Sequence, residues 1–273
     1  MTGVEPSVIV LAGVLIGLYV LAIIKTGKRP DSRRIAAFTL ALVVLGAALT
    51  GPIDRYVLDG SFALYIFQQM LLIFVVPPLL LLGIPQWMAR WIFVGRAIER
   101  PWRIMTRPIV AFLTFAATFT LIHFPLLCDI VCHTRLPYGD IREVLLLVGI
   151  LLWWPMLSPL PEFPRLSYPL QIMYLFMLMI PMTAVAAPIT MAQSVLYVFY
   201  MTREHPFGMT AMADQVLGGL IMWIGQGIYL MCVFTAIFFQ WSRKEDSEFP
   251  AINFRRPPEL RVLRSPRRGP APS

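Results

Sequence analysis

The sequence predicts an all-α polytopic membrane bundle of seven transmembrane helices, with the N-terminus outside and the C-terminus in the cytoplasm. Three observations carry this prediction. The first is composition: of 273 residues, 58% are hydrophobic and 14% are charged, with a mean hydropathy of +0.71. Soluble domains run about 45–50% apolar and about 25% charged, and a chain of this length has too little interior to hide the surplus. The same figures exclude intrinsic disorder, and the signatures of collagen-like and disulfide-scaffold chains are missing. The second observation is that seven stretches free of Asp, Glu, Lys and Arg reach the ~18 residues that let a helix cross a hydrocarbon core. They are continuously apolar rather than alternating, which argues against a β-barrel, and in lipid a helix satisfies its backbone within one segment. The third is charge placement. Nineteen of the 23 Lys and Arg fall on one side, and Arg55, Arg135, Arg142 and Arg203 fall on the other. The positive-inside rule then sets the orientation, and the formal charge of +8 marks a cytoplasmic membrane face rather than a nucleic-acid partner.

The elements follow in order. Pro6–Ile24 is the first span. Glu5 and the lack of a basic residue before it are wrong for a signal peptide, so it is expected to be retained. Gly13 and Gly17 within it form a small-xxx-small pattern, which offers a packing face but is also frequent by chance. A basic loop, Lys25 to Arg34, leads to the second span, Ile35–Ile53. Gly60–Ala89 is the third span, and a second basic loop with Trp87, Trp91 and Trp102 in and beside it is expected to hold a short amphipathic helix on the inner surface. Pro108–Cys128 and Val144–Pro161 are the fourth and fifth spans. Leu166–Thr202 is long enough for two spans, but an extra helix would export the basic tail. One span from about Tyr168 to Thr190 is therefore expected, followed by an outer segment, Gln193 to Ala213, whose Tyr197, Tyr200 and Met201 suit the interface. Gln215–Ser242 is the seventh span, with Cys232 as a packing residue. Residues 1–242 thus form the membrane domain, and 243–273 form a basic, Pro-rich cytoplasmic tail expected to be mostly disordered.

This topology gathers polar side chains at the outer ends of four helices. Tyr65 and Gln69 share a face at the start of the third span, and His123 closes the fourth. Tyr138 and Arg142 open the fifth, and Asp214 and Gln215 open the seventh. Polar groups in membrane helices are costly unless paired or functional, so the cluster points to an outward-facing site, although helix-end residues that simply meet water read the same way. Beside it lie Cys128, Cys132 and His133. With His123 they make a candidate metal set, and thiol and imidazole donors suit copper. The same cysteines also fit a disulfide or small apolar packing, and their spacing is one residue too long for haem attachment.

The seventh span reads Asp214-Gln215-Val-Leu-Gly218-Gly219-Leu-Ile-Met222-Trp223, and the third reads Gln68-Gln69-Met70-Leu71-Leu72 and then Pro77-Pro78-Leu-Leu-Leu-Leu-Gly83-Ile-Pro85. With His123-Phe-Pro125 and Trp153-Trp154-Pro155, these motifs resemble, over roughly residues 50 to 242, the CtaG-type cytochrome c oxidase assembly factors of bacterial plasma membranes. The resemblance implies a multi-pass, non-enzymatic protein that helps mature a haem–copper oxidase, around its buried copper centre, with oxidase subunits as partners. The chain departs from the family where His-x-x-x-His pairs are expected: Tyr65 and Gln69 stand in the third span, and Tyr138 and Arg142 in the fifth. Arg offers no lone pair to a metal, so of the family's histidines only His123 remains, and any metal site is absent or altered.

Two other functions compete. A structural accessory subunit of a respiratory complex would use the outer cluster to dock a partner without metal. A small-solute or ion transporter would use in-span prolines such as Pro77, Pro78, Pro181 and Pro188, but no charged residue lies near the centre of a span to couple transport. An enzyme is not expected, because nucleophile-elbow, phosphate-loop and zinc-protease motifs are missing and His205 reads as a solvated loop residue.

Overall fold

The computed structural model describes residues 6–95, 97–127, 138–201 and 208–248, and every regular element among them is helical. In chain order these are α1 (Pro6–Thr26), α2 (Ser32–Leu49), α3 (Pro52–Asp59), α4 (Phe62–Met70), a π-helical turn (Leu71–Val75), α5 (Val76–Gly83), α6 (Gln86–Phe93), α7 (Glu99–Met105) and α8 (Pro108–His123). They continue as α9 (Tyr138–Leu157), α10 (Tyr168–Met191), α11 (Val198–Met201), α12 (Ala211–Leu220), a second π-helical turn (Ile221–Gly225) and α13 (Gln226–Glu248). Among the described residues, five helices are long and apolar enough to cross a membrane, or six if the pair α7–α8, bent by 74°, counts as one. α9, expected as a span, is not among them, and its first turns carry Asp140, Arg142 and Glu143. Large apolar side chains face outward along the bundle, among them Val10, Val43, Ile109, Ile180 and Ile228. That outer skin is what lipid contact requires.

The stretch Phe62–Gly83 is the axis of the bundle: 67% of it is buried inside the protein, against 17% of Val8–Thr26. Its π-helical turn precedes Pro77 and Pro78, whose missing N–H groups leave the carbonyls of Ile73 and Phe74 without helical donors. Neighbouring helices fill both vacancies. The Trp153 indole N–H donates to Ile73 O at 2.9 Å, and the Tyr229 hydroxyl donates to Phe74 O. Gly149 makes the first repair feasible, because a Cβ there would stand 3.0 Å from Ile73 O and 2.6 Å from Pro77 Cγ.

Breaks between helices follow local chemistry. Asp31 caps α2 by accepting the Arg34 N–H at 2.8 Å. Gly51 (φ 81°) and Gly60 (φ 113°) bracket α3 in conformations that side chains resist, and the second span, Ser32–Val57, runs through the break at Gly51 and past Ile53. Ser61 caps α4, accepting the Leu64 N–H at 3.3 Å. At the end rich in basic residues, Arg90 pairs with Glu162 and Arg103 pairs with Glu99 at 2.8 Å. The Gly95 N–H, and after it the Arg103 guanidinium, hold the Glu99 carboxyl below its usual range.

Several expectations are corrected. A Cβ added at Gly13 or Gly17 would meet nothing within 4 Å, so no helix among the described residues uses that face. In place of the one short surface helix expected there are two, α6 and α7, and Trp102 stacks on Phe93 at 4.7 Å. Tyr197 and Tyr200 are each 1% exposed: both pack on the Phe62 ring, since α11 folds back over the bundle end. Cys232 is exposed on the flank of α13 and is not a core residue. α13 continues to Glu248, beyond the expected tail boundary at Ser242. Within the long stretch beginning at Leu166, a single helix spans Tyr168–Met191.

Candidate functional site

The polar residues gathered from four helix ends lie at one end of the bundle, and they are not solvated. Asp214 is 0% exposed, Gln69 1%, Gln215 2%, and His123 and Arg142 4% each, which removes the reading that they merely meet water. Burial of this kind requires partners, and most of them are identifiable.

Asp214 sits in the first turn of α12, started by the Thr210 cap. Its carboxylate reaches across to the start of α4, accepting the Phe62 N–H at 2.6 Å, the Ala63 N–H at 3.2 Å and the Ser61 hydroxyl at 3.0 Å. A carboxylate there satisfies orphan donors and opposes the positive end of the helix dipole. The approach depends on the glycine pair one turn later. A Cβ on Gly218 would meet the Phe62 ring at 2.5 Å, and one on Gly219 would lie 3.1 Å from the Thr190 backbone nitrogen. The two glycines let α12 lie tight between α4 and α10.

Arg142, from α9, forms a buried pair with Asp54 of α3 at 2.5 Å. Gln68 completes it, its Nε2 donating to Asp54 at 3.2 Å and to Ala48 O at 2.7 Å. Asp54 and Gln68 lie outside the cluster expected from the sequence. Asp54, two residues after Pro52, has the look of an ordinary outer-loop acid, and Gln68 stands out in the sequence only as part of a motif. Gln215 ties down the chain after α10: its Oε1 accepts the Leu196 N–H at 2.7 Å, and its Nε2 donates to Ile189 O and Ser194 O at 3.4 Å.

His123 and Gln69 differ from these. The His123 Nδ1 lies 2.7 Å from Phe119 O. A carbonyl only accepts, so Nδ1 carries the proton and Nε2 presents its lone pair in the neutral ring. That Nε2 and both polar atoms of the Gln69 amide are buried without a partner among the described residues. Above them the Tyr197 hydroxyl donates to the His123 carbonyl at 2.9 Å. Tyr65, one turn before Gln69, is buried beside Phe62. Tyr138 opens α9, but its side chain lies outside those described, as do Cys128, Cys132, His133 and His205 altogether.

The described residues do not make a metal centre. No group of three His, Cys, Asp or Glu among them stands close enough to hold an ion. Asp214 and Asp54 are committed to protein donors, which leaves His123 Nε2 as an open lone pair among the described residues. The arrangement therefore clamps helices together, with His123 Nε2 and the Gln69 amide as buried polar groups the clamp does not use.

A family model described as cytochrome c oxidase caa3 assembly factor matches residues 17–244. Among curated relatives, an uncharacterized protein of Mycobacterium bovis and one of Mycobacterium tuberculosis are each 29% identical over 204 residues, 68% of this chain and 31% of the relative. An uncharacterized protein of Mycobacterium leprae is 25% identical over 229 residues, 78% of this chain and 34% of the relative. The chain spans about a third of the length of these relatives. No solved structure matches.

Proposed function

Because the chain belongs to the cytochrome c oxidase caa3 assembly factor family, we propose that it is a non-catalytic, multi-pass protein of the bacterial plasma membrane that assists maturation of a haem–copper oxidase from the outer half of the bilayer. The observation that carries this reading is the family match, which covers nearly all the helices described. The topology proposed with it has seven passes, the N-terminus outside and the C-terminus in the cytoplasm. It counts the 16-residue α8 and the 20-residue α9 as passes, and it is supported by the basic residues of the inter-helix loops.

On this reading the clamped end, built from α3, α4, α9, α11 and α12, is the rigid surface that oxidase subunits meet. Its polar groups stabilise a shape, because nearly all of them are spent on one another. The test is removal of the chain from the bacterium that encodes it, followed by haem difference spectra and immunodetection of oxidase subunits in isolated membranes. Expected is oxidase protein with a deficit of assembled, active enzyme, restored by the intact chain. Unchanged spectra and activity would overturn the proposal.

A copper-carrying version of the same role is favoured by one observation, the open Nε2 of His123. It would recruit Cys128, Cys132 and His133. The discriminating measurement is Cu(I) retention by the purified protein against a competing chelator. Retention that disappears in Cys128→Ser and Cys132→Ser supports the metal version, and no retention ends it in favour of docking alone.

A further inference from the structure

A second feature stands at the opposite end of the bundle. A cavity of about 680 Å³ opens among the ends of α5 and α9, the start of α10 and the last turns of α13, within the range of sites that enclose small ligands. Much of its lining is apolar: Pro78, Leu82, Trp153, Val233 and Ile237, with the ring of Tyr229, whose hydroxyl is already bound to Phe74 O. The part of the lining from the helix ends is of another kind, with Arg165, Lys244, Trp241 and Tyr168.

Two basic side chains, Arg165 and Lys244, and one acid, Glu245, stand on that part of the lining. Arg165 precedes α10, and its Nε donates to Ser158 O at 2.8 Å. This orients the guanidinium and leaves its two Nη nitrogens without a partner among the described residues. Lys244 comes from α13. The first turn of α10, a helix of 24 residues whose cap Ser167 makes no side-chain hydrogen bond, brings the positive end of its dipole to the same place. The acid on the lining, Glu245, accepts the Trp241 indole N–H at 2.9 Å. Trp and Tyr at this level belong to the headgroup zone of a bilayer.

From this lining we infer that the cavity binds an anionic phospholipid, its phosphate against Arg165, Lys244 and the start of α10, and one acyl chain laid along Leu82, Val233 and Ile237. An apolar trough ending in cations matches an amphiphile with a negative head. A soluble anion would leave the apolar lining unfilled, and a zwitterionic head would bring its own cation against the Arg165 guanidinium. Basic pockets between membrane helices recognise acidic headgroups in this way. The inference requires that the helices lie in a bilayer and is independent of an oxidase partner.

The test uses the full chain in neutral detergent, freed of native lipid, with phosphatidylglycerol and phosphatidylcholine of identical chains as probes and inorganic phosphate as a third arm. Binding is read by native mass spectrometry and by the shift in melting temperature. Preferential retention of phosphatidylglycerol is expected, weakened roughly fivefold by each of Arg165→Gln and Lys244→Gln and lost in Ala236→Trp, which fills the cavity. Equal retention of the two lipids, undiminished binding in Ala236→Trp, or a full melting shift from inorganic phosphate alone would overturn it. If the tryptophan variant does not fold, the competition between the two lipids on the unaltered chain decides.

Discussion

Asp214 and Phe62 lie 152 residues apart, and the Asp214 carboxylate accepts the Phe62 backbone N–H at 2.6 Å with no exposure to solvent. The bond joins the first turns of two membrane helices, so the start of α4 is capped both by its own Ser61 and by a side chain from α12. Asp214→Ala strands three donors in a buried place and should destabilise the protein by about 2–4 kcal/mol. Asp214→Asn, which keeps an acceptor, should lose less. Melting in detergent, with hydrogen exchange at the Phe62 and Ala63 amides, checks both.

The Arg142–Asp54 pair is buried on both sides. Removing one partner leaves an uncompensated charge, so Arg142→Met or Asp54→Leu alone should cost about 3–5 kcal/mol. The double variant should recover most of that loss. Additive losses in the double-mutant cycle would show that the two residues act independently.

Glycines divide into two groups that melting curves can separate. Gly218→Ala and Gly219→Ala force contact with the Phe62 ring or the Thr190 backbone and should be destabilising by about 1–3 kcal/mol. Gly13→Ala and Gly17→Ala face open space and should stay within about 1 kcal/mol of the parent.

The proline repair is testable by coupling. Trp153→Phe removes the donor to Ile73 O and should cost about 1–3 kcal/mol. In a Pro77→Ala background, where a backbone N–H again serves Ile73 O, the same substitution should cost distinctly less. An unchanged cost would mean that packing of the indole, and not its hydrogen bond, is what matters.

Orientation is read by labelling cells with a membrane-impermeant thiol reagent, after replacing the native cysteines. A cysteine at Asp59, in the loop expected outside, should react in intact cells. One at Lys28 should react only after the membrane is opened. The reverse pattern would invert the proposed topology.

Composition and spacing are enough to read the helical class, the positions of the apolar stretches and the single helix over Tyr168–Met191, because each depends on how much oily surface a continuous run of residues carries. Helix-end polar residues are visible for the same reason: Asp214, Gln215, Arg142 and His123 interrupt apolar runs. Their roles are not visible there. In the folded chain Asp54 and Gln68 enter the clamp, Tyr197 and Tyr200 turn inward, and Gly218 and Gly219 are points of contact while Gly13 and Gly17 are not. Each of these outcomes is set by residues tens to more than a hundred positions away. Burial propensity belongs to a residue and its neighbours in the chain, whereas a hydrogen-bond partner or a close backbone approach exists only after distant helices have packed.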